Sequence, residues 1–123
     1  MRVINTKKAP GAIGPYSQGF IIGNMVYISG QIPVDPKTGE VEVKIEEQTR
    51  QSCENVKAIL EAGGSNLQNV FKTTCFLADM KDFVTFNKIY EEYFISKPAR
   101  SCVAVKELPK GVLCEIEAIA IIK

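Results

Sequence analysis

Val112-Leu113-Cys114-Glu115-Ile116-Glu117-Ala118-Ile119-Ala120-Ile121-Ile122 is a mostly apolar run that reads as a strand. Side chains alternate across a strand, so Ile116, Ala118, Ala120 and Ile122 share one face. Glu115, Glu117, Ile119 and Ile121 share the other. Both faces are largely apolar, which predicts a sheet covered on both sides.

Upstream, a second β-rich run, Ser101 to Val105, is separated from this one by Pro109-Lys110-Gly111. Phe83, Phe86, Tyr90 and Phe94 recur at helical intervals, predicting a helix that Asp79 caps and that ends near Phe94. Val70 to Ala78 is β-branched and aromatic and reads as a strand. From Ile45 to Ala62 the spacing is again helical, with Ile45, Cys53, Val56, Ile59 and Leu60 on one stripe and Gly63-Gly64 as the stop. Near the N-terminus, Gln18–Ile22 and Met25–Ser29 flank Gly23-Asn24, the signature of a hairpin. The order is strands, helix, strand, helix, strands. It predicts an α+β domain, one unit over residues 1–123, with two helices on one face of a mixed sheet. Two helices cover one face only, so the other calls for a partner, most simply a second copy of the chain.

The chain has 123 residues with 15 basic and 14 acidic side chains, a net charge of +1, and no histidine. The absent histidine excludes Ser-His-Asp and Cys-His nucleophile systems and histidine acid/base catalysis within this chain. The near-zero charge argues against a dedicated nucleic-acid binder, which relies on neutralising phosphates. No apolar run reaches the ~20 residues that cross a bilayer, and Met1 to Pro10 lacks the apolar centre of a secretory signal. The four cysteines, Cys53, Cys75, Cys102 and Cys114, form no CxxC pair. They read as small buried hydrophobes of a cytoplasmic protein.

Several residues stand out chemically. Arg100 can offer a planar fork to a carboxylate, or form a surface ion pair. Glu115 and Glu117 lie in an apolar strand where glutamate is depleted, and parity does not choose between them. Such a carboxyl could move a proton or orient water. Tyr16 follows the Gly14-Pro15 turn, Ser29-Gly30 ends a strand where glycine permits close approach, and Asn87 is an amide among aromatics that needs a partner. Cys102 has no histidine to activate it as a nucleophile.

Four blocks, taken in order, resemble the reactive intermediate deaminase A (RidA, or YjgF) family. They are Ala12-Ile13-Gly14-Pro15-Tyr16-Ser17-Gln18-Gly19, Ile28-Ser29-Gly30-Gln31-Ile32-Pro33 with Pro36-Lys37-Thr38-Gly39-Glu40, Pro98-Ala99-Arg100-Ser101-Cys102-Val103, and Glu115-Ile116-Glu117-Ala118-Ile119-Ala120. The resemblance implies a chorismate-mutase-like fold and a homotrimer with ligand clefts between subunits. It implies hydrolysis of reactive enamines and imines, such as 2-aminoacrylate and 2-iminopropionate, to 2-oxo acids and ammonia. Pyridoxal-phosphate dehydratases release such substrates, and the deaminase itself needs neither cofactor nor metal. Carried over by position, Arg100 would bind the substrate carboxylate and Glu115 would position water. Tyr16, Ser29, Gly30, Asn87 and Cys102 would line the pocket, Cys102 mainly through its backbone. Three departures stand out: the segment Ile95-Ser96-Lys97 is short, Lys97 replaces an aromatic residue common before Pro-Ala-Arg, and Cys114 replaces a common Ile or Val. Two other readings compete. One is a binding module for 2-oxo acids without turnover. The other is the RNA cleavage and translational inhibition linked to some family members, for which no basic stripe is present.

Overall fold

The computed structural model describes the whole chain, Met1 to Lys123. Its strands are β1 (Arg2–Ile4), β2 (Gly19–Ile22), β3 (Met25–Gln31), β4 (Val70–Leu77), β5 (Ala99–Ala104) and β6 (Cys114–Ile121). Its helices are α1 (Ile45–Ala62) and α2 (Phe83–Tyr93). The strands form one sheet in the order β1-β2-β3-β6-β4-β5. The β4–β5 pair is parallel and all other pairs are antiparallel, so the sheet is mixed as expected. The parallel pair follows from connectivity: α2 carries the chain back over the sheet between β4 and β5.

Glycine ends α1 for a stated reason. Gly64 takes φ +84°, Gly64 N–H donates to Glu61 O at 3.1 Å, and Ser65 N–H donates to Leu60 O at 2.9 Å. That is a Schellman cap, whose left-handed residue has no Cβ to clash. At α2 the structure corrects the cap. Asp79 accepts from Lys81 N at 2.8 Å and so caps a short 3-10 turn, Met80–Asp82, that leads into α2. The helix proper begins only at Phe83.

Both helices lie on one face. Thr73 of β4 shares a 2.6 Å hydrogen bond with the Tyr90 hydroxyl of α2. Ser52 of α1 meets Cys114 of β6 at 3.7 Å. Between helices and sheet sit Val26, Val56, Ile59, Leu60, Leu77, Phe86 and Ile116, all buried in one core. Within the chain the opposite face is uncovered, as expected where two helices cover one face only. It presents Phe20, Tyr27, Ile119 and Val103, with Tyr27 40% and Val103 46% exposed. Strand β1 carries no sequence signal because three residues are too few to establish a period.

The buried face of α1 also carries polar side chains that fix loops. Asn55 donates to Ile32 O at 3.1 Å and Val34 O at 3.0 Å. Gln48 donates to Glu42 O at 2.7 Å and accepts from Leu113 N at 2.8 Å. These bonds hold the segments entering β6 and leaving β3, which flank the site described next.

Candidate active site

The candidate residues fall into two groups. The first surrounds Glu115. Along β3 the pairing with β6 slips between Ile28 and Gln31, leaving one extra residue on β3. Bulges re-aim side chains, and this one turns Ser29 and Gly30 toward Glu115. Ser29 Oγ donates to Ser17 O at 2.6 Å, and Ser29 N donates to Gln18 O at 2.9 Å, tying β3 to the loop that carries Tyr16. Buried Gln18 secures that loop from behind, donating to Pro10 O at 2.8 Å and accepting from Thr6 N at 2.7 Å. The result is a cavity of about 550 Å³ lined by Tyr16, Ser29, Gly30, Glu115 and Glu117, with Ile13, Ile32, Pro109 and Lys110 as walls.

Glycine at position 30 has a specific cause. A Cβ there would stand 2.7 Å from Glu115 Cδ and would overlap its Oε2. The close approach inferred from Ser29-Gly30 is therefore made by the Glu115 side chain itself. Burial raises the Glu115 pKa above the usual carboxylate range, and the neighbouring Glu117 charge raises it further.

The second group surrounds Arg100, in the edge strand β5. Its Nη1 donates to Asn87 Oδ1 at 2.8 Å. Its guanidinium carbon lies 4.8 Å from the Tyr90 ring centre and 5.6 Å from that of Phe83. Phe83, Asn87 and Tyr90 are one stripe of α2, so the helix offers the cation two aromatic faces and one acceptor. Tyr90 is itself fixed by the Thr73 bond and stacks on Phe94 at 4.4 Å between ring centres. The one ion pair in the structure is Arg50–Glu92. Arg100 is thus a half-buried cation with no carboxylate partner. Asn87, Tyr90, Glu91, Lys97 and Arg100 line a cleft of about 380 Å³. Cys102 follows on the same face of β5, half-buried, opposite Cys75.

The two groups do not meet within one chain. Arg100 pairs with Thr73, whose side chain is on the helix-covered face. Glu115 pairs with Phe76, three residues on and so on the opposite face. Tyr90, Phe83 and Lys110 were not singled out as site residues from sequence. The signal available was Asn87 lying on the same helical stripe as Phe83 and Tyr90. Lys110 carries none, because its left-handed φ of +58° is a property of the turn.

The family model described as Endoribonuclease L-PSP matches residues 6–122. The chain belongs to this family, the RidA (YjgF) group that its motifs resemble. Among relatives of this RidA-family chain, the 2-iminobutanoate/2-iminopropanoate deaminase of Escherichia coli K12 is 54% identical, covering 98% of this chain and 97% of its own. A RutC family protein of Pyrococcus horikoshii is 59% identical, covering 96% of this chain and 95% of its own. Among solved structures, E. coli TdcF with bound serine superposes with a TM-score of 0.97 at 49% identity, covering all of both chains. The E. coli YjgF gene product superposes with a TM-score of 0.97 at 52% identity. The α+β fold with two helices on a mixed sheet is that of these relatives.

Proposed function

We propose that this chain hydrolyses small 2-imino acids and their enamine tautomers to 2-oxo acids and ammonia, in a cleft shared between copies of the chain. The carrying observation is the unpaired Arg100 guanidinium, oriented by Asn87, Tyr90 and Phe83. A rigid, half-buried fork without an acid of its own suits a substrate carboxylate, bound by two parallel hydrogen bonds. Family membership and relatives named as deaminases supply the reaction class.

The chemistry asks little of the protein. A C=N carbon is electrophilic, more so once its nitrogen is protonated. Glu115 takes a proton from water as the oxygen adds to that carbon, giving a carbinolamine. It then returns the proton to the nitrogen, and the C–N bond breaks as the hydroxyl oxygen forms the C=O bond and gives its proton to Glu115, releasing ammonia and the 2-oxo acid. The raised pKa of Glu115 fits a group that must both accept and give a proton. Tyr16 and the Ser29 hydroxyl border the same cavity and can hold the water and the nitrogen. Holding the reactants together supplies much of the acceleration.

Since Arg100 and Glu115 project from opposite faces, a complete cleft takes Arg100 from one copy and Glu115 from the next. The apolar face of Phe20, Tyr27 and Ile119 gives such copies a contact surface, and a trimer is the assembly this reading favours. Mixed oligomers test it. Arg100→Ala and Glu115→Gln are each expected to be inactive toward 2-aminoacrylate generated in situ by a dehydratase. Refolded together, they regain activity in about a quarter of clefts by random mixing. No recovery in verified mixed oligomers refutes the shared cleft. Full activity of either variant alone refutes that residue's role.

A further inference from the structure

The deamination chemistry leaves two thiols unused that the sheet brings face to face. Cys53 and Cys114 are fully buried, and burial pushes both thiols up, which leaves them inert. Cys75 is buried like them, but its neighbour Cys102 is only half-buried. Cys75 and Cys102 are direct register partners in the parallel β4–β5 pair, with both side chains on the helix-covered face. Neighbouring strands lie ~4.8 Å apart. That spacing falls inside the Cα separation of roughly 4.4–6.8 Å found in disulfides.

Their surroundings are unequal. Cys75 is fully buried. Cys102 is half-buried on β5, the last strand of the sheet, two residues from Arg100 and on the same face. The Cys75 thiol acting on Cys102, with the Arg100 guanidinium on the same face, favours the thiolate at Cys102. Cys75 in turn stays protonated, held so by its hydrogen bond to Cys102 and by burial, and only the part due to Cys102 is lifted once Cys102 is oxidised. A partly accessible thiolate in a positive setting, with a second thiol in register, is the arrangement by which oxidation is caught as a disulfide.

We propose that Cys102 is a site of oxidation by peroxides and that Cys75 resolves it, giving a reversible Cys75–Cys102 disulfide. In the first step the Cys102 sulfur attacks one peroxide oxygen. The O–O bond breaks, hydroxide leaves and takes a proton to become water, and Cys102 becomes a sulfenic acid. In the second step the Cys75 sulfur attacks the Cys102 sulfur. The S–O bond breaks, and the hydroxyl leaves as water with the Cys75 proton. Two thiols are oxidised by two electrons, and one peroxide is reduced to two waters. The pair protects Cys102 from the irreversible oxidation states. This inference stands apart from the deaminase reading, since it needs neither substrate nor turnover.

The test treats the whole chain with hydrogen peroxide, removes the excess with catalase, and follows thiols and mass. The protein is expected to lose two of its four thiols. Its mass falls by about 2 Da, the two thiol hydrogens lost when sulfenic acid condenses with a thiol to a disulfide. Digestion gives a Cys75 peptide linked to a Cys102 peptide, and dithiothreitol reverses all three changes. In Cys75→Val, a β-branched core replacement, Cys102 instead gains two or three oxygen atoms that dithiothreitol does not remove. Retention of all four thiols at a peroxide dose that oxidises a free-thiol peptide overturns the proposal. So does equal over-oxidation of Cys102 with and without Cys75. If Cys75→Val fails to fold, the linked peptide in the unsubstituted protein decides alone.

Discussion

Gly30→Ala separates the placement of Glu115 from the stability of the fold. The added Cβ lies 2.7 Å from Glu115 Cδ, so the carboxyl must retreat by about 0.7 Å to reach ordinary contact at 3.4 Å. Its Oε2 must move farther. The neighbour that yields is the end of a flexible side chain, not backbone, and Glu115 can turn about its own bonds. Forcing it off a favoured rotamer costs about 0.5–1.5 kcal/mol. That is small beside a total stability of roughly 5–15 kcal/mol, so the variant folds. Catalysis is less forgiving. A displacement near 1 Å at a reacting group costs about 10²-fold, and loss of a general base about 10²–10⁴-fold. We expect kcat for 2-aminoacrylate hydrolysis to fall by about 10²-fold or more. KM should change little, because Arg100 is on the other face of the sheet. The assay is the coupled dehydratase reaction, with circular dichroism and thermal melting to verify the fold. Unchanged kcat in a folded variant refutes the reasoning, since Glu115 would then have moved without consequence. A rise in KM with kcat intact refutes it differently, by placing Gly30 in substrate binding.

Arg100→Lys keeps the charge but loses the fork and its stacking on Tyr90. kcat/KM is expected to fall about 10- to 100-fold, mostly through KM, and wild-type KM would count against carboxylate binding. Glu117→Gln removes a negative charge that raises the Glu115 pKa. The acid limb of the pH–rate profile should therefore move to lower pH, and a limb that stays in place would mean that another group controls it. Glu115→Gln is expected to raise the melting temperature near neutral pH. The folded pKa of Glu115 lies above its unfolded value, so the fold disfavours the ionised form, and that penalty is full above the folded pKa. Below the ordinary carboxylate range both states are protonated and the gain should vanish. A melting temperature that falls at pH 7 would show that the carboxylate is stabilising instead.

Local signals were legible in this sequence wherever one element's own pattern was enough. The α1 stripe and the Gly63-Gly64 stop fixed Ile45–Ala62, because a Schellman cap is written in consecutive residues. The apolar parity of β6 separated the buried Ile116, Ala118 and Ala120 from Glu115 and Glu117. What stayed hidden depended on pairing between distant residues. Gln18, Gln48 and Asn55 read as ordinary polar residues until the loops they bind are in place. Gly30 read as room for a ligand, whereas the occupant is Glu115, 85 positions later in the chain. Arg100 and Glu115 both read as site residues. Which face each takes rests on the order β6-β4-β5 and on two registers that no local pattern contains.

That opposition of faces carries a physical argument about the working unit. Within one chain the Arg100 cation has no acid partner, and the Glu115 carboxyl is partly desolvated beside another carboxylate. The Glu115 arrangement costs the lone fold, and Arg100 is held there only by Asn87 and the two rings. Bringing the two into one cleft on a single chain would also invite them to neutralise each other, forming an ion pair that a substrate must break. Placing them on opposite faces prevents that pair from forming during folding. In the proposed shared cleft they meet only once a second copy is present, with the aromatic platform of α2 holding the guanidinium and Gly30 making room for the carboxyl. The sheet thus acts as a spacer, keeping anchor and base apart in each chain. On the proposed shared cleft, assembly rather than folding completes the site.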